Sequence, residues 1–396
     1  MTPKTMLKLP QYCKSTMIEN VVAQCPPKHK KDYAPYTIEF NSSEMPITFK
    51  LARNFGFCFG VKNALSLVYS AIENNKGKRV FLLSEIIHNP IVNQDLTERG
   101  VQFIMDAKGN FLHPLQDLSG NDIVIIPAFG ITLELQKQLL GLGVEINKYD
   151  TTCQFVQRVW KCAEKLGSNG YTIIIHGNPY HEETKSTFSH CAKISPTIVI
   201  ANKKAATELA ECIVSGQMQH LSMEFTSANF DPVQHLTKIG LVNQTTMLAD
   251  ETKEISNILS HAMQQRYGEN KLSEHFANTK HTLCYATCEN QNSTLALCRD
   301  GGCDIALIVG GYNSSNTKYL AEVSEKYIKT FFIEGSEDIL NADTIRHFDI
   351  TTKTVRETAN WFPKTTSPTI AISVGASCPD KVIEDVMTKT AKVYES

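Results

Sequence analysis

The sequence predicts an α/β protein built from three similar modules with mostly parallel sheets, and three observations predict it. Cys58, Cys153 and Cys284 each stand where a strand pattern gives way to a helix pattern. An apolar run ending in polar residues follows each at a near-constant interval: His88 lies 30 residues after Cys58, His181 lies 28 after Cys153, and Ser314 lies 30 after Cys284. A second apolar run then closes each unit in another small polar tip; His181 to Thr245 is 64 residues and Ser314 to Ser377 is 63. Repetition at this scale marks a duplicated unit, and strands alternating with helices mark parallel α/β sheets.

The chain opens on residues 1–46, where Pro3, Pro10, Pro26, Pro27 and Pro35 predict a loosely attached N-terminal extension. Lys4, Lys8, Lys14, Lys28, Lys30 and Lys31 face only Glu19 among its first 31 residues. Such a segment would act as a targeting sequence in a plastid-type protein, but it lacks arginine and is not serine-rich, so a cytoplasmic protein with an ordinary extension is the simpler expectation.

The first module spans 47–150, and its strand ITFKLAR before Cys58 is a candidate to join the third sheet. After Cys58, Val61, Ala64, Leu65, Val68 and Ile72 follow the spacing of one helical face. RVFLLSEIIHN (79–89) and DIVIIPAFGIT (122–132) supply its two strands. The second module, 151–280, repeats the plan with Val156, Val159, Trp160, Ala163 and Leu166 on a helix after Cys153, then YTIIIHGNPYHEE (171–183) and IGLVNQTT (239–246). The third, 281–396, has a weaker helix after Cys284 on which Cys288, Leu295 and Cys298 would share a face. Its strands are DIALIVGGYNSSN (304–316) and TIAISVGASCPD (369–380). The polar stretch 264–280 reads as a connection, and 106–120, 215–234 and 343–364 read as excursions from the alternation.

Composition narrows the function. With 39 basic against 41 acidic residues the net charge is −2, which gives no general field for nucleic acid or an anionic membrane. No apolar run approaches the roughly 20 residues of a membrane-spanning helix. Twelve dispersed cysteines in a chain of 396 residues do not resemble a small disulfide scaffold, so free or metal-bound thiols in a reducing compartment are expected.

Ligands of open parallel sheets bind beyond the carboxyl ends of the strands. Three modules arranged head to head would aim Cys58, Cys153 and Cys284, with the polar tips, at one central cavity. A helix N-terminus favours the thiolate that binds metal. Three soft ligands suit an iron-sulfur cluster, and with only three a cubane cluster would keep one iron open for chemistry. Cys378, in GASCPD, is a candidate fourth ligand. The rival metal reading is a four-cysteine zinc site drawn from Cys284, Cys288, Cys298 and Cys303, whose spacings come nearest to zinc-ligand pairs.

The segments NFGFCFGV, EIIHNPIVNQDL, YDTTCQFVQRVW, HEET, VNQTT, LCYAT, YNSSNT and SVGASCPD resemble the motifs of the 4-hydroxy-3-methylbut-2-enyl diphosphate reductase family, also called LytB or IspH. The likeness runs from about Leu51 to Val393. It implies three α/β modules in a pseudo-threefold arrangement around a central iron-sulfur cluster, one 4Fe-4S cluster per chain bound by Cys58, Cys153 and Cys284. The implied reaction is reductive dehydroxylation of an allylic diphosphate to isopentenyl and dimethylallyl diphosphate, the last step of a non-mevalonate isoprenoid route. Electrons would come from a donor such as ferredoxin or flavodoxin.

Carried over by motif, His88, His181, Ser314, Ser315, Asn316 and Ser377 would hold the diphosphate, Glu183 would donate a proton and Thr245 would relay it. These residue types suit that chemistry. A diphosphate needs several N–H, O–H and imidazole donors, and a hydroxyl leaves only with help from an acid and a Lewis-acidic metal. On residue type alone YNSSN and His88-Asn89-Pro90 also read as turns or helix starts, and Glu182 and Glu183 as solvated carboxylates. Many bacterial members have His-Gly where this chain has Phe129-Gly130, and the PAFG and HEET forms resemble the branch of plants and cyanobacteria. His176 is the candidate replacement for that imidazole. Two other classes remain beside the enzyme: an iron-sulfur electron carrier or sensor without substrate, and a zinc-stabilised α/β binding module.

Overall fold

A computed structural model describes residues 9–29, 31–40, 46–217, 222–278 and 282–395. The strands, in chain order, are β1 (Tyr36–Phe40) and β2 (Ile47–Leu51); β3 (Val80–Leu82), β4 (Val101–Phe103) and β5 (Ile123–Ile125); β6 (Thr172–His176), β7 (Thr197–Ile200), β8 (Ile239–Asn243) and β9 (Phe276–Asn278); then β10 (Ile305–Val309), β11 (Thr330–Ile333), β12 (Thr344–Asp349), β13 (Thr354–Ala359) and β14 (Thr369–Val374). They form three sheets, ordered β1-β2-β14-β10-β11-β12-β13, β4-β3-β5 and β7-β6-β8-β9. The last two are wholly parallel, and the first is parallel from β2 to β11. The α/β class with mostly parallel sheets is therefore as the repeats predict. By compactness the chain falls into two units, one of Met1–Tyr69, Ile87–Leu96 and Tyr285–Ser396, the other of Ser70–Ile86 and Thr97–Cys284.

The first unit holds the seven-stranded sheet, and its central strands β10 and β14 are buried on both faces. Along β10, Ile305, Leu307 and Val309 enter one core with Phe49, Leu51, Ile372 and Val386, while Ala306 and Ile308 enter the other with Ala371, Leu297 and Leu320. This period-2 alternation with apolar residues on both faces is the mark of a sheet covered twice. Helix Asp380–Tyr394 covers one side through Val382, Ile383, Val386 and Met387. Helices Tyr285–Asp300 and Ser315–Ser324 cover the other, where the alanines leave room for close approach.

Three expectations are corrected here. Residues 9–29 and 31–40 are not loosely attached: Ser15 caps the helix Thr16–Gln24, its hydroxyl donates to Glu384 at 2.6 Å, Ile18 is buried in the core, and β1 pairs antiparallel with β2. Residues 1–8, 30 and 41–45 of that extension lie outside the described residues. The helix after Cys284 does not bury Cys288 and Leu295 as its face; Thr287, Asn290, Gln291, Ser293 and Thr294 are buried with Leu297 and Cys298. Small polar residues bury without penalty when bonded, and the Thr294 hydroxyl meets both Asn290 O at 2.8 Å and Ser373 Oγ at 2.6 Å. Finally, 264–280 is more than a connection, since it carries the edge strand β9 and the stacked pair Tyr267 and His275, with residues 279 and 280 outside the description.

The second unit holds the other two sheets. Ile174, Ile239 and Leu241 face one core, and Ile173, Ile175 and Val242 the opposite one, so β6 and β8 are covered on both sides. The excursion 106–120 returns Leu115 and Leu118 to the core of the three-stranded sheet. In 215–234, Phe230 is buried, and residues 218–221 lie outside the described residues. The excursion 343–364 forms the hairpin β12–β13, which extends the seven-stranded sheet by antiparallel pairing. Among the described residues no helix is long and apolar enough to cross a membrane.

Candidate active site

The first unit gathers one set of predicted residues at the carboxyl ends of β10 and β14. Cys58 precedes helix Phe59–Asn74; its N–H donates to Ala376 O at 3.2 Å, beyond the tip of β14, and its sulfur accepts from Val61 N–H at 3.5 Å. That amide belongs to the helix's first turn, where unpaired N–H groups favour a thiolate. The approach to Cys58 needs Gly56, whose φ is +71° and whose position a Cβ would share with the Asp380 carboxylate.

His88, Ser314, Asn316 and Ser377 are buried in the same region. Ser377 Oγ lies 3.4 Å from His88 O, and a Cβ on Gly311 would come within 2.6 Å of that same carbonyl. The His88 segment, the tip after β14 and the loop after β10 are thus in contact. Ser314 caps helix Ser315–Ser324 by accepting from Thr317 N–H at 3.3 Å and from the Thr317 hydroxyl at 3.0 Å. Its turn-forming role is real, and it places Ser315 and Asn316 in the first helical turn, where amide donors suit a phosphate. Both amide atoms of Asn316 are buried with no hydrogen-bond partner. Buried polar groups are ordinarily satisfied, so this side chain is one that a polar ligand would complete.

The second unit assembles the proton-transfer set. Cys153 is the residue before helix Gln154–Ser168 and its N–H donates to Ala128 O at 3.0 Å. His181 caps helix Glu182–Ala192: its Nδ1 accepts from Glu183 N–H at 3.1 Å, which puts the proton of the neutral ring on Nε2 and makes that atom a donor. Phe129, standing where a histidine is common in bacterial members, meets the His181 ring edge to face at 5.5 Å.

Glu183 is almost wholly buried, and both its oxygens are held by Thr245: Oε1 accepts the Thr245 amide at 2.6 Å and Oε2 the Thr245 hydroxyl at 2.9 Å. A protonated Glu183 would reverse the second bond and donate to Thr245 Oγ. Thr245 O in turn accepts from Cys284 N–H at 2.9 Å. Glu183 is thus the carboxylate that Thr245 holds, while the Thr245–Cys284 link is a separate bond between backbone groups.

His176 has no accessible surface. It pairs in register with Asn243 in the sheet, its Nδ1 lies 3.2 Å from Thr252 Oγ, and burial lowers its pKa to about 4. It is the last residue of β6, and its Nε2 is buried with no hydrogen-bond partner. Between the ordinary 6.5 and about 4 the unfolded chain binds a proton there that the folded chain refuses, so its stabilising contribution is full above pH 6.5 and is lost as pH falls toward 4. The expected loss is about 3 kcal/mol at the acid end. Urea midpoints of wild type and His176→Gln between pH 7 and pH 4 check it; equal slopes against pH would refute the assignment.

Sequence reasoning missed Gln244. Its Oε1 accepts from Asn178 N–H at 3.0 Å and Thr184 Oγ at 3.1 Å, and its Nε2 donates to Thr246 Oγ at 2.9 Å. It ties the loop carrying His181 and Glu183 to the loop carrying Thr245. The only signal was its place inside VNQTT.

Among the remaining cysteines, Cys13, Cys191, Cys212, Cys298 and Cys378 are buried. All twelve are free of disulfides. Cys378 lies in the core of the first unit and burial pushes its thiol far up, which removes it as a thiolate ligand. Cys298 donates to Ser324 Oγ at 3.4 Å and burial raises its pKa; burial also pushes Cys303 up to about 11. Among the described residues no three His, Cys, Asp or Glu side chains gather closely enough to hold a single metal ion, so the four-cysteine zinc site is not formed.

A family model described as LytB protein matches residues 49–391. A protein of Trichormus variabilis named 4-hydroxy-3-methylbut-2-enyl diphosphate reductase is 37% identical over 348 residues, covering 87% of this chain and 84% of its own. One of Gloeobacter violaceus with the same name is 35% identical over 357 residues, covering 88% and 83%. The fold is shared with a solved (E)-4-hydroxy-3-methyl-but-2-enyl diphosphate reductase, described as the terminal enzyme of the non-mevalonate pathway, at a TM-score of 0.53 and 24% identity over 87% of this chain and 98% of that one. It is also shared with the reductase from Plasmodium falciparum, at 0.61 and 21% over 86% of each.

Proposed function

The chain belongs to the LytB protein family, and on that premise we propose that it is an iron-sulfur oxidoreductase that reductively dehydroxylates 4-hydroxy-3-methylbut-2-enyl diphosphate. The products are isopentenyl and dimethylallyl diphosphate, the last step of the non-mevalonate route. The observation that supports this reading is the buried Glu183 carboxylate held on both oxygens by Thr245, whose backbone carbonyl accepts the Cys284 backbone amide.

The donor set fits an iron-sulfur group: Cys58, Cys153 and Cys284 form no disulfide, and each stands at the start of a helix. They would hold one 4Fe-4S cluster per chain. When bound, the cluster supplies two electrons and a Lewis-acidic iron. The balance is that the allylic C–O bond breaks, the hydroxyl leaves as water, and two electrons and two protons are consumed.

Glu183 supplies a proton through Thr245 Oγ by reversal of their shared bond, so the hydroxyl departs as a neutral leaving group. His88, His181, Ser314, Ser315, Asn316 and Ser377 bind phosphate oxygens. Asn316 gains in that state the partners it otherwise lacks. His176, at the carboxyl end of β6 with its buried Nε2 unpartnered, remains a candidate further donor.

An electron donor such as ferredoxin or flavodoxin completes the system, with no role for nucleic acid or membrane. Twelve cysteines without a disulfide suit a reducing compartment, the cytoplasm or a plastid.

The test is anaerobic purification with iron and sulfide analysis, then spectroscopy with and without the allylic diphosphate. A brown protein whose cluster spectrum changes on adding the diphosphate is expected. A colourless preparation holding only zinc and fully active would overturn the reading.

A further inference from the structure

Within the first unit, the loop between β10 and helix Ser315–Ser324 is braced from beneath by groups with no place in the reaction. Tyr312, two residues before Ser314, donates its hydroxyl to Asp338 Oδ2 at 2.7 Å and its backbone N–H to Glu334 Oε1 at 3.1 Å. Asp338 is buried, and its carboxylate also takes Glu334 N–H at 2.8 Å and Arg346 Nε at 2.7 Å. The Tyr312 ring packs on Phe332 and Phe348, each at 5.4 Å. Arg346 and Phe348 both belong to β12, in the hairpin that reads from sequence as an interruption.

The cost of binding through a loop is largely the cost of ordering it, about 1–2 kcal/mol for each backbone residue fixed. A loop already held by a buried carboxylate and two aromatic contacts meets that cost in folding. Mobile loops bind polyanions less tightly for the same contacts. The brace here joins the backbone just ahead of Ser314, Ser315 and Asn316, so it governs where those donors stand.

We propose that Asp338, with Tyr312 and the β12 residue Arg346, forms a positioning network that pre-orders the Ser314–Asn316 donors for a diphosphate. The antiparallel hairpin thereby serves affinity for the phosphate end of the substrate and takes no part in proton transfer. This rests on the diphosphate reading of that loop.

The experiment measures binding of inorganic diphosphate to the cluster-loaded protein by calorimetry, with KM and kcat for the allylic diphosphate alongside. Tyr312→Phe keeps the ring contacts and removes only the hydroxyl; Asp338→Asn keeps the shape and removes the charge. Each is expected to raise the diphosphate Kd about tenfold, the scale of one buried charge-assisted hydrogen bond. KM should rise with it, kcat should change less, and iron content and the cluster spectrum should match wild type. The double variant is expected to be no worse than the poorer single one, because both break the same bond. If Asp338→Asn does not fold, Tyr312→Phe decides. Kd values within twofold of wild type, or equal losses in kcat and no change in KM, would overturn the network's role while leaving the diphosphate reading intact. Wild type that binds no diphosphate would remove that reading and this inference together.

Discussion

Glu183→Gln is expected to lower kcat by about 10²- to 10⁴-fold, the span a positioned general acid contributes, with iron and sulfide per chain at the wild-type level. Glutamine keeps the volume and can still accept the Thr245 amide bonded to Oε1 at 2.6 Å, so the local fold survives. It cannot carry the proton that reversal of the Oε2 bond would hand to Thr245 Oγ. Thr245→Val should act in the same direction, since it removes the relaying hydroxyl and leaves the backbone link to Cys284. Single-turnover measurement with a pre-reduced enzyme isolates the chemical step. A variant with full turnover would remove Glu183 as the proton donor.

Cys284→Ala is expected to abolish both cluster retention and turnover. The backbone bond from residue 284 to Thr245 O does not involve the sulfur, so the unit should still fold with a near-native melting profile. Cys378→Ala is the matched control: a fully buried thiol kept protonated by its surroundings can be removed at some cost in core packing, but bound iron should be unchanged. The contrast is read by iron analysis after anaerobic reconstitution. Equal iron loss in both would make Cys378 a ligand; full iron in Cys284→Ala would break the three-cysteine assignment.

The repeated strand, helix and polar tip were legible because β10, β14, β6 and β8 are apolar on both faces and end abruptly in glycine or polar residues. Helical spacing after Cys58 and Cys153 was equally plain, and Val156, Val159, Ala163 and Leu166 are buried as their period implies. After Cys284 the period misleads, because Ser293 and Thr294 are buried by hydrogen bonds that a hydrophobicity pattern does not register.

The docked N-terminal segment escaped for a related reason. Ile18 and the Ser15 cap are too few to make a pattern, and the segment's prolines speak for irregularity. Within the site, residue identity pointed to His181, Glu183 and Thr245 through their motifs. That His176 ends β6 and pairs in register with Asn243 is something only strand pairing reveals. Gln244 and Asp338 escaped because their importance lies wholly in tertiary partners.

The likeness to the family model begins at residue 49, yet β1, at Tyr36–Phe40, lies ahead of it and is the outermost strand on that side of the seven-stranded sheet. A version of the protein shortened to the shared region would strip the hydrogen-bonding rim of β2 bare and open the hollow that Ile18 fills. Uncapped rims of that kind recruit copies of themselves. The stretch ahead of the shared region thus covers that rim, and shortening it is expected to be felt as insolubility before it is felt as lost catalysis.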